Sequence, residues 1–600
     1  MKAYGLDTET YGLDWRKDEP WMIAVATFEG HRAWDLRRPD EARLVLPAFE
    51  ALVKDAGRIY AHNAKFDLHA LAKVLPERLV FALLPLMCCT VVREYLIDEN
   101  RLSYKLDDLG LERLRERKID LVQQTGLLPE HWSCAPPEKS KAYCVKDALL
   151  CLGVADSQQR DIDHQNLQEV EDLEQRVMRV AWKMERRGVR VDSQMVEDKK
   201  REIHRLMMKQ QQEVYSKYGR LHLLSSNDLA RGLGIGEDSH GILRTDTGEA
   251  VPKTDTGRPK LDEETLAGLN SPLAKIATEF RKMDRMANTF LDKHILARVD
   301  PKKGTDTVHP NINTVRSLSG RGTKTGRFSY DSPALQQMPS RQDDLAAIIR
   351  VCFLPWAGEF WWYGDLDQNE FRVFAHFTGS ERLYKAYADN PQIDFHGLVA
   401  QILGIPRSPK DVEGQGPNAK QTNLALLFNM GAGLLAKTMG LPYTEEKDDR
   451  AKDGVRLIPG PEVEGVLDAY FAEIPGVREL NETCSRLMES RGYVTTPVGR
   501  RIRISNPEFA YKAAGLLYQA TAADINKRNV VLLDETLGRE GAGTLLLNIH
   551  DEYSISAPDS ARTVEVLRHV SEEIADAGLK VPLAIEFHKG PNWYEATQEH

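Results

Sequence analysis

Three polar residues, His550, Asp551 and Glu552, interrupt the apolar run "LLLNIHDEYSISAP" that extends from Leu545 to Pro558. The flanks alternate as two strands, so the break reads as the tip of a β-hairpin carrying carboxylates. An ordinary hairpin turn is one reading, since Asp is common there. A metal-binding tip is the other, because a half-buried carboxylate is costly unless a cation meets it. That reading requires a second carboxylate. "EFWWYGDLDQNEFRVFAHFTG" supplies it: residues 360–363 read as a buried strand, Asp365 follows at its C-terminal end, and helical spacing begins near Gln368. Two carboxylates on neighbouring strand ends suit a pair of divalent cations, which can activate one oxygen and stabilise a leaving oxygen in phosphoryl transfer. Magnesium favours such sparse sites, completed by water and substrate phosphates.

A second acidic set lies near the N-terminus. "GLDTETYGL" puts Asp7 and Glu9 on one face of a first strand, "YAHNAKFDLHAL" contributes Asp67, and "YCVKDALL" contributes Tyr143 and Asp147 one helical turn apart. Each alone reads as easily as a solvated element end. In "NAKQTNLALLFNMGAGLLAKTMG", a helix would align Lys420, Leu424 and Phe428 over about 12 Å, comparable to a nucleotide from outer phosphate to base. An ordinary amphipathic helix has the same spacing. Residues 307–330 contain no acid but hold Arg316, Arg321, Lys324 and Arg327 among glycines, which fits either phosphate contact or a plain flexible loop. "KKREIHR" from Lys199 reads as a solvated helix face, and "RRIR" from Arg500 is a further basic cluster.

The elements that must position these residues alternate strand and helix up to about residue 155, an α/β pattern. From Leu167 the period becomes helical through Val170, Leu173, Val177, Val180 and Met184, with Gly188 as the stop. A charged helical region continues to about 300, broken by a Gly- and Thr-rich loop over 232–259, and mixed structure follows. At 600 residues the chain needs several cores. No apolar run is long enough to span a bilayer, and seven cysteines without a CxxC pair suit a reducing cytoplasm and give no hint of a disulfide framework or structural zinc. The net charge of −10 leaves any nucleic-acid contact to local patterning.

The segments around Asp365, Lys420 and Asp551 resemble motifs A, B and C of family A DNA polymerases, the bacterial polymerase I kind. "DLDQNEFRVFAHF" is similar to motif A, "AKQTNLALLFNMG" to the motif B helix and "IHDE" to the final H-D-E. "TGRFSYDSPALQQMP", "RGYVTTPVGRRIRI", "YQATAADINK" and "GPNWYEA" match further ordered segments, so the resemblance covers nearly the whole chain. The N-terminal set resembles the DEDDy 3′–5′ exonucleases that proofread for this family. The implied fold is multidomain α/β and α+β: an RNase H-like exonuclease (1–158), a helical thumb and connection (159–305), palm (306–380 and 496–600) and fingers (381–495). With no chain ahead of the exonuclease, the layout lacks a separate 5′ nuclease and looks like bacteriophage replication polymerases. No large processivity insertion is expected in the thumb.

The resemblance implies template-directed DNA synthesis with proofreading. Asp365 and Asp551 would hold two Mg2+ in the palm, and Asp7, Glu9, Asp67 and Asp147 two more in the exonuclease, with Mn2+ as a substitute. Tyr143 would orient the attacking water, Glu552 would support the palm site, and His550 would sit near the primer terminus. Lys420 and His396 would contact phosphate, and Glu370, packed by Phe428, would exclude a ribose 2′-OH. Arg327, Gln336 and Gln519 would contact the minor groove, and Arg321 and Lys324 the duplex backbone. Partners are primer–template DNA, dNTPs and replisome proteins, with a monomer in the host cytoplasm and no membrane. The family pattern breaks at Gly416 (usually Arg), Leu424 (usually aromatic), Ala425, Phe428-Asn429, Tyr511 and Gly515; Arg407, Lys410 and Lys437 are the nearest cations in sequence that could replace the one absent at Gly416. Those departures leave a competing expectation, an exonuclease whose C-terminal half only binds DNA.

Overall fold

Alternation in "KAYGLDTET" and the fully buried "PWMIAVA" make the first two strands of a mixed sheet. β1 (Lys2–Thr10) pairs antiparallel with β2 (Pro20–Ala26), itself paired with β3 (His31–Asp35). On its other edge β1 runs parallel to β4 (Ala56–Ala61), which is followed by β5 (Met87–Cys89), giving the order β3-β2-β1-β4-β5. Helices α1 (Ala64–Val74) and α2 (Pro137–Gln165) pack on this sheet. Gly5 sets how closely α2 approaches, because a Cβ there would lie 2.0 Å from the Ala148 carbonyl oxygen. Asp7 is two residues on and faces the same side, so the close approach delivers Asp147 to it. The computed structural model describes residues 2–239, 241–300, 306–320, 322–339, 344–408, 416–427, 430–448, 455–474 and 476–598.

Helix α3 (Gln168–Arg187) buries the expected Val170, Val177, Val180 and Met184 and ends at Gly188, whose φ of 69° favours glycine. It packs against both the N-terminal unit and the C-terminal half. Its inward glutamates meet polar partners: Glu171 with Arg93 at 2.8 Å, Glu174 with Lys527 at 2.5 Å and with Arg500, and Glu185 with Lys65 and with the His69 imidazole, which burial keeps neutral by drawing it down to about 4. The basic run from Arg500 serves the same junction, with Arg503 on Glu99 at 2.6 Å and Arg501 donating to the Gln165 carbonyl at 2.9 Å.

Beyond α3 lies α4 (Ser193–Tyr218). The loop expected over 232–259 is instead a small three-stranded sheet of Gly236–Glu237, Leu243–Arg244 and Ala250–Val251. Strands of two residues carry no readable period; glycines at positive φ (Gly241, Gly248) turn the chain between them, and Leu243 and Val251 are buried beneath.

The C-terminal half is built on four antiparallel strands: β6 (Phe360–Leu366), β7 (Thr544–Ile549), β8 (Glu552–Ala557) and β9 (Ile585–Gly590), in the order β7-β8-β6-β9. Asp365 lies inside β6 rather than after it, paired with Glu552 on β8 and Glu586 on β9. Helices that bear on the site are α5 (Asn369–Thr378), α6 (Phe395–Leu403), α7 (Ala419–Leu427) and the long buried α8 (Ala513–Glu540). Among the described residues no helix is long and apolar enough to cross a membrane.

Candidate active sites

In the N-terminal unit, carboxylate oxygens of Asp7, Glu9 and Asp147 lie within 4.8 Å of one another. Asp67 on α1 is buried beside them and accepts from Thr8 Oγ1 at 2.9 Å. The buried Cys144 thiol donates to Asp7 Oδ2 at 3.3 Å. Burial raises all four carboxyls: Glu9 to about 8 with Asp147 adding its charge, and Asp67 to about 7 against the Thr8 hydrogen bond. Asp7 is raised further by Asp147, Glu9 and Asp67, and Asp147 is raised despite Lys118. Four carboxyls this close cannot all ionise without a cation among them, and their all-oxygen donor set fits hard dications. Tyr143, one turn before Asp147, packs 5.1 Å from the Trp132 ring. All five expected residues therefore converge. Lys118, which no motif marked, joins them through an ion pair with Asp147.

In the palm, β7 and β8 meet at the turn expected from "IHDE". His550 takes a left-handed φ of 55°, and its carbonyl accepts from Asn526 Nδ2 at 2.9 Å. The turn sets Asp551 against β6, where its carbonyl accepts from the Leu366 N–H at 3.2 Å. Directly paired strand residues project to one face, so Glu552, Asp365 and Glu586 form a row beside Asp551. Buried Tyr553 lies close enough to both Asp551 and Asp365 for their charges to add to burial in raising its hydroxyl. Burial likewise raises Asp551, which Asn369 Nδ2 contacts only at 3.4 Å. Glu552 is held by Arg350 at 3.3 Å.

Asp551 and His550 line a cleft of about 240 Å³ with Arg327, Gln336, Glu370 and Asn526. Arg327 and Glu370 are ion-paired across it. Gln336 is fixed by its bonds to the Phe328 carbonyl at 3.1 Å and the Tyr330 N–H at 3.3 Å. Asp365 lines a separate hollow of about 260 Å³ with Asp367, Glu586 and His588, which shares no lining residue with that cleft. Gln519 is half-buried on α8, about one turn before the cleft-lining Ala522 and Ala523.

Helix α7 presents Lys420, exposed, and Leu424, half-buried, on one face as expected. His396 on α6 meets Asn423 at 3.0 Å; burial pulls its imidazole down to about 4, with Asp394 opposing and Arg407 and Lys420 adding. Arg407 sits at the start of α7, its carbonyl accepting the Lys420 N–H at 2.9 Å and its guanidinium on Asp394. Lys437 lies instead over the Tyr443 ring. Lys324 is exposed and donates to Asn100 Oδ1 at 2.5 Å. Phe428, Arg321 and Lys410 lie outside the described residues. Residues the motifs did not reveal are Lys118, Asn369, Asn526 and Asn548. Asn548 and Asn526 are reciprocally hydrogen-bonded at 2.9 and 3.0 Å and brace the β7–β8 turn.

The 3′–5′ exonuclease family model matches residues 1–163, and the DNA polymerase family A model matches residues 193–595. The chain belongs to DNA polymerase family A. This polymerase is 37% identical to DNA polymerase DpoZ of Salmonella phage PMBT28, a match covering 99% of the chain and 97% of the relative. It is 36% identical to DpoZ of Acinetobacter phage SH-Ab 15497 over the same shares of both chains, and 26% identical to DNA polymerase I of Pseudomonas aeruginosa over 98% of this chain and 63% of that protein. Its fold matches the POL domain of Pol1 from M. smegmatis, solved in complex with DNA primer–template and dNTP, with a TM-score of 0.78, 22% identity and coverage of 99% and 96%. The polymerase is thus a bacteriophage-type DNA-directed DNA polymerase with an N-terminal 3′–5′ exonuclease domain. These full-length relatives give no support to the competing expectation of a polymerase half reduced to binding DNA.

Proposed function

We propose that the polymerase carries two independent dication sites, one per acidic constellation, and that synthesis and proofreading are chemically separable. The observation behind this is that the two share no side chain: one set stands on β1, α1 and α2, the other on β6 and the β7–β8 turn. Asp7, Glu9, Asp67 and Asp147 would hold Mg2+ in the exonuclease, and Asp365 and Asp551 in the palm, with Mn2+ as substitute. When bound, the ions supply an activated oxygen nucleophile and charge stabilisation at the departing oxygen.

The chain's own residues do the rest. Tyr143 orients the attacking water in the exonuclease. In the fingers, Lys420, His396 and Arg407 form one corner that receives the triphosphate. Glu370 fills the space of a ribose 2′-OH, Leu424 packs the sugar, and Phe428 keeps the supporting role its motif implies. His550 faces the primer terminus, and Glu552 supports the site through Arg350. Arg327, Gln336 and Gln519 meet the minor groove, while Lys324 and Arg321 meet the duplex backbone. Exonuclease (1–158), thumb and connection (159–305), palm (306–380, 496–600) and fingers (381–495) act on primer–template DNA and dNTPs as a monomer in the host cytoplasm, with replisome proteins as further partners. Primer extension and 3′-end degradation, measured side by side, test the assignment. Asp365→Ala should lose extension and keep degradation, and Asp7→Ala with Glu9→Ala should do the reverse.

A further inference from the structure

The chain between Leu114 and Leu121 has no regular structure, yet it is pinned. The Lys118 N–H donates to Asp107 Oδ1 at 2.8 Å, and Asp120 caps the next short helix through the Gln123 N–H at 2.8 Å. Ile119 packs against the apolar cluster of Leu121, Ala135 and Tyr143. From this fixed backbone the Lys118 side chain enters the exonuclease constellation. Its ammonium is ion-paired with Asp147 and lies 5.0 Å from the Tyr143 ring centroid. Tyr143 is thereby held between the Trp132 ring and a cation. Asp147 is 1% exposed, and Lys118 supplies a cation beside it.

We propose that Lys118 is a positioning residue of the exonuclease: it orients Asp147 and Tyr143 and stands in at Asp147 for the cation that the carboxylates take up. Two opposite consequences follow from one charge. A cation beside the carboxylates repels an incoming dication, so removing it should tighten metal binding. Removing it also frees Asp147 and Tyr143, so cleavage at saturating metal should slow. A residue that merely props up the loop would weaken both.

The inference rests on assigning these carboxylates to the exonuclease. Lys118→Met and Lys118→Arg would be made in full-length protein carrying Asp365→Ala and Asp551→Ala, so that Mn2+ reports the exonuclease site alone. Mn2+ binding is read by electron paramagnetic resonance, and single-turnover 3′-end cleavage at saturating Mn2+ is read separately. The expected result for Lys118→Met is Mn2+ binding tighter by about tenfold, since a unit charge at this range is worth more than 1.4 kcal/mol. Cleavage should slow by about tenfold or more, the usual cost of losing an outer partner of a metal ligand. Lys118→Arg should keep cleavage within a few-fold of the parent. Weaker Mn2+ binding by Lys118→Met, or cleavage at the parent rate, overturns the proposal. Asp7→Ala with Glu9→Ala in the same background is the control: if it still cleaves, the site assignment itself fails rather than the role of Lys118.

Discussion

Replacing Glu174 by Ala should loosen the junction between α3 and the palm helix α8 more than any surface change there. Glu174 has no solvent exposure, and its Oε1 receives both Lys527 Nζ at 2.5 Å and Arg500. Arg500 retains a second carboxylate, Asp524, at 2.7 Å. Lys527 retains the Thr314 carbonyl at 2.6 Å. Truncation therefore leaves a wholly buried ammonium without its nearest counter-charge, a change that costs about 3–5 kcal/mol when the charge cannot escape.

Here it can escape by releasing its proton. Burial already draws Lys527 from its ordinary 10.5 to about 8 although Glu174 supports the charge. Without Glu174 the amine should be neutral at pH 7. The added ionisation cost is then capped at the distance from about 8 down to pH 7, about 1.4 kcal/mol. A lost charge-assisted hydrogen bond adds about 1–2 kcal/mol, for a total of about 2–3 kcal/mol. The sign with pH follows. A depressed lysine destabilises the fold fully below its folded value, and that cost is relieved as pH rises toward its unfolded value. The Glu174→Ala deficit should therefore exceed 3 kcal/mol near pH 6 and shrink to about 1–2 kcal/mol near pH 9. Hydrogen exchange of α8 amides at the three pH values reads this directly. Adding Lys527→Met should recover at least half of the loss at pH 7, because no buried charge is then stranded. A deficit independent of pH, or a double variant no better than Glu174→Ala, would refute the reasoning.

Three further outcomes are expected. In EDTA, calorimetric stability of the exonuclease domain should fall as pH rises from 5 to 8, because folded Glu9 and Asp67 keep protons up to about 8 and about 7 that the unfolded chain releases near pH 4. Magnesium should flatten that dependence, and a flat profile in EDTA would contradict it. Glu370→Ala should raise ribonucleotide relative to deoxynucleotide incorporation by about tenfold or more in single-nucleotide kinetics, and an unchanged ratio would move the sugar gate elsewhere. Arg407→Ala should raise the apparent KM for dNTPs by about tenfold, and Gly416→Arg should lower the KM of that variant, as charge-assisted phosphate contacts predict; no effect of Arg407→Ala would remove Arg407 from the phosphate corner.

What could be read from the sequence depended on whether a residue's role is local. Asp7 with Glu9, Tyr143 with Asp147, and the β7–β8 turn are fixed by strand and helix periods of two and about four residues, so their placement was legible. The α3 helix was legible for the same reason, down to its stop at Gly188. Lys118 was not, because its position depends on an irregular loop tied to Asp107 and not on any period. Asn526 and Asn548 are far apart in α8 and β7, and only the tertiary fold makes them partners. The basic "RRIR" was legible only as a cluster of charge; its place was not, because Arg500 is 2% exposed and its charge is absorbed by acids from α3 and α8. The three-stranded sheet beneath residues 232–259 escaped because two-residue strands carry no pattern.

The claim of two separate dication sites is tested most directly by finding where a metal cuts the chain. With Fe2+ in place of Mg2+ and an ascorbate–peroxide mixture, radicals formed at the bound ion cleave nearby backbone, and the fragments are mapped by mass spectrometry. Two sets of cuts are expected, one around Asp7, Asp67 and Asp147 and one around Asp365 and Asp551. Asp7→Ala with Glu9→Ala should remove only the first set, and Asp551→Ala only the second. A single set of cuts, or the loss of both sets from either change in folded protein, would contradict the account.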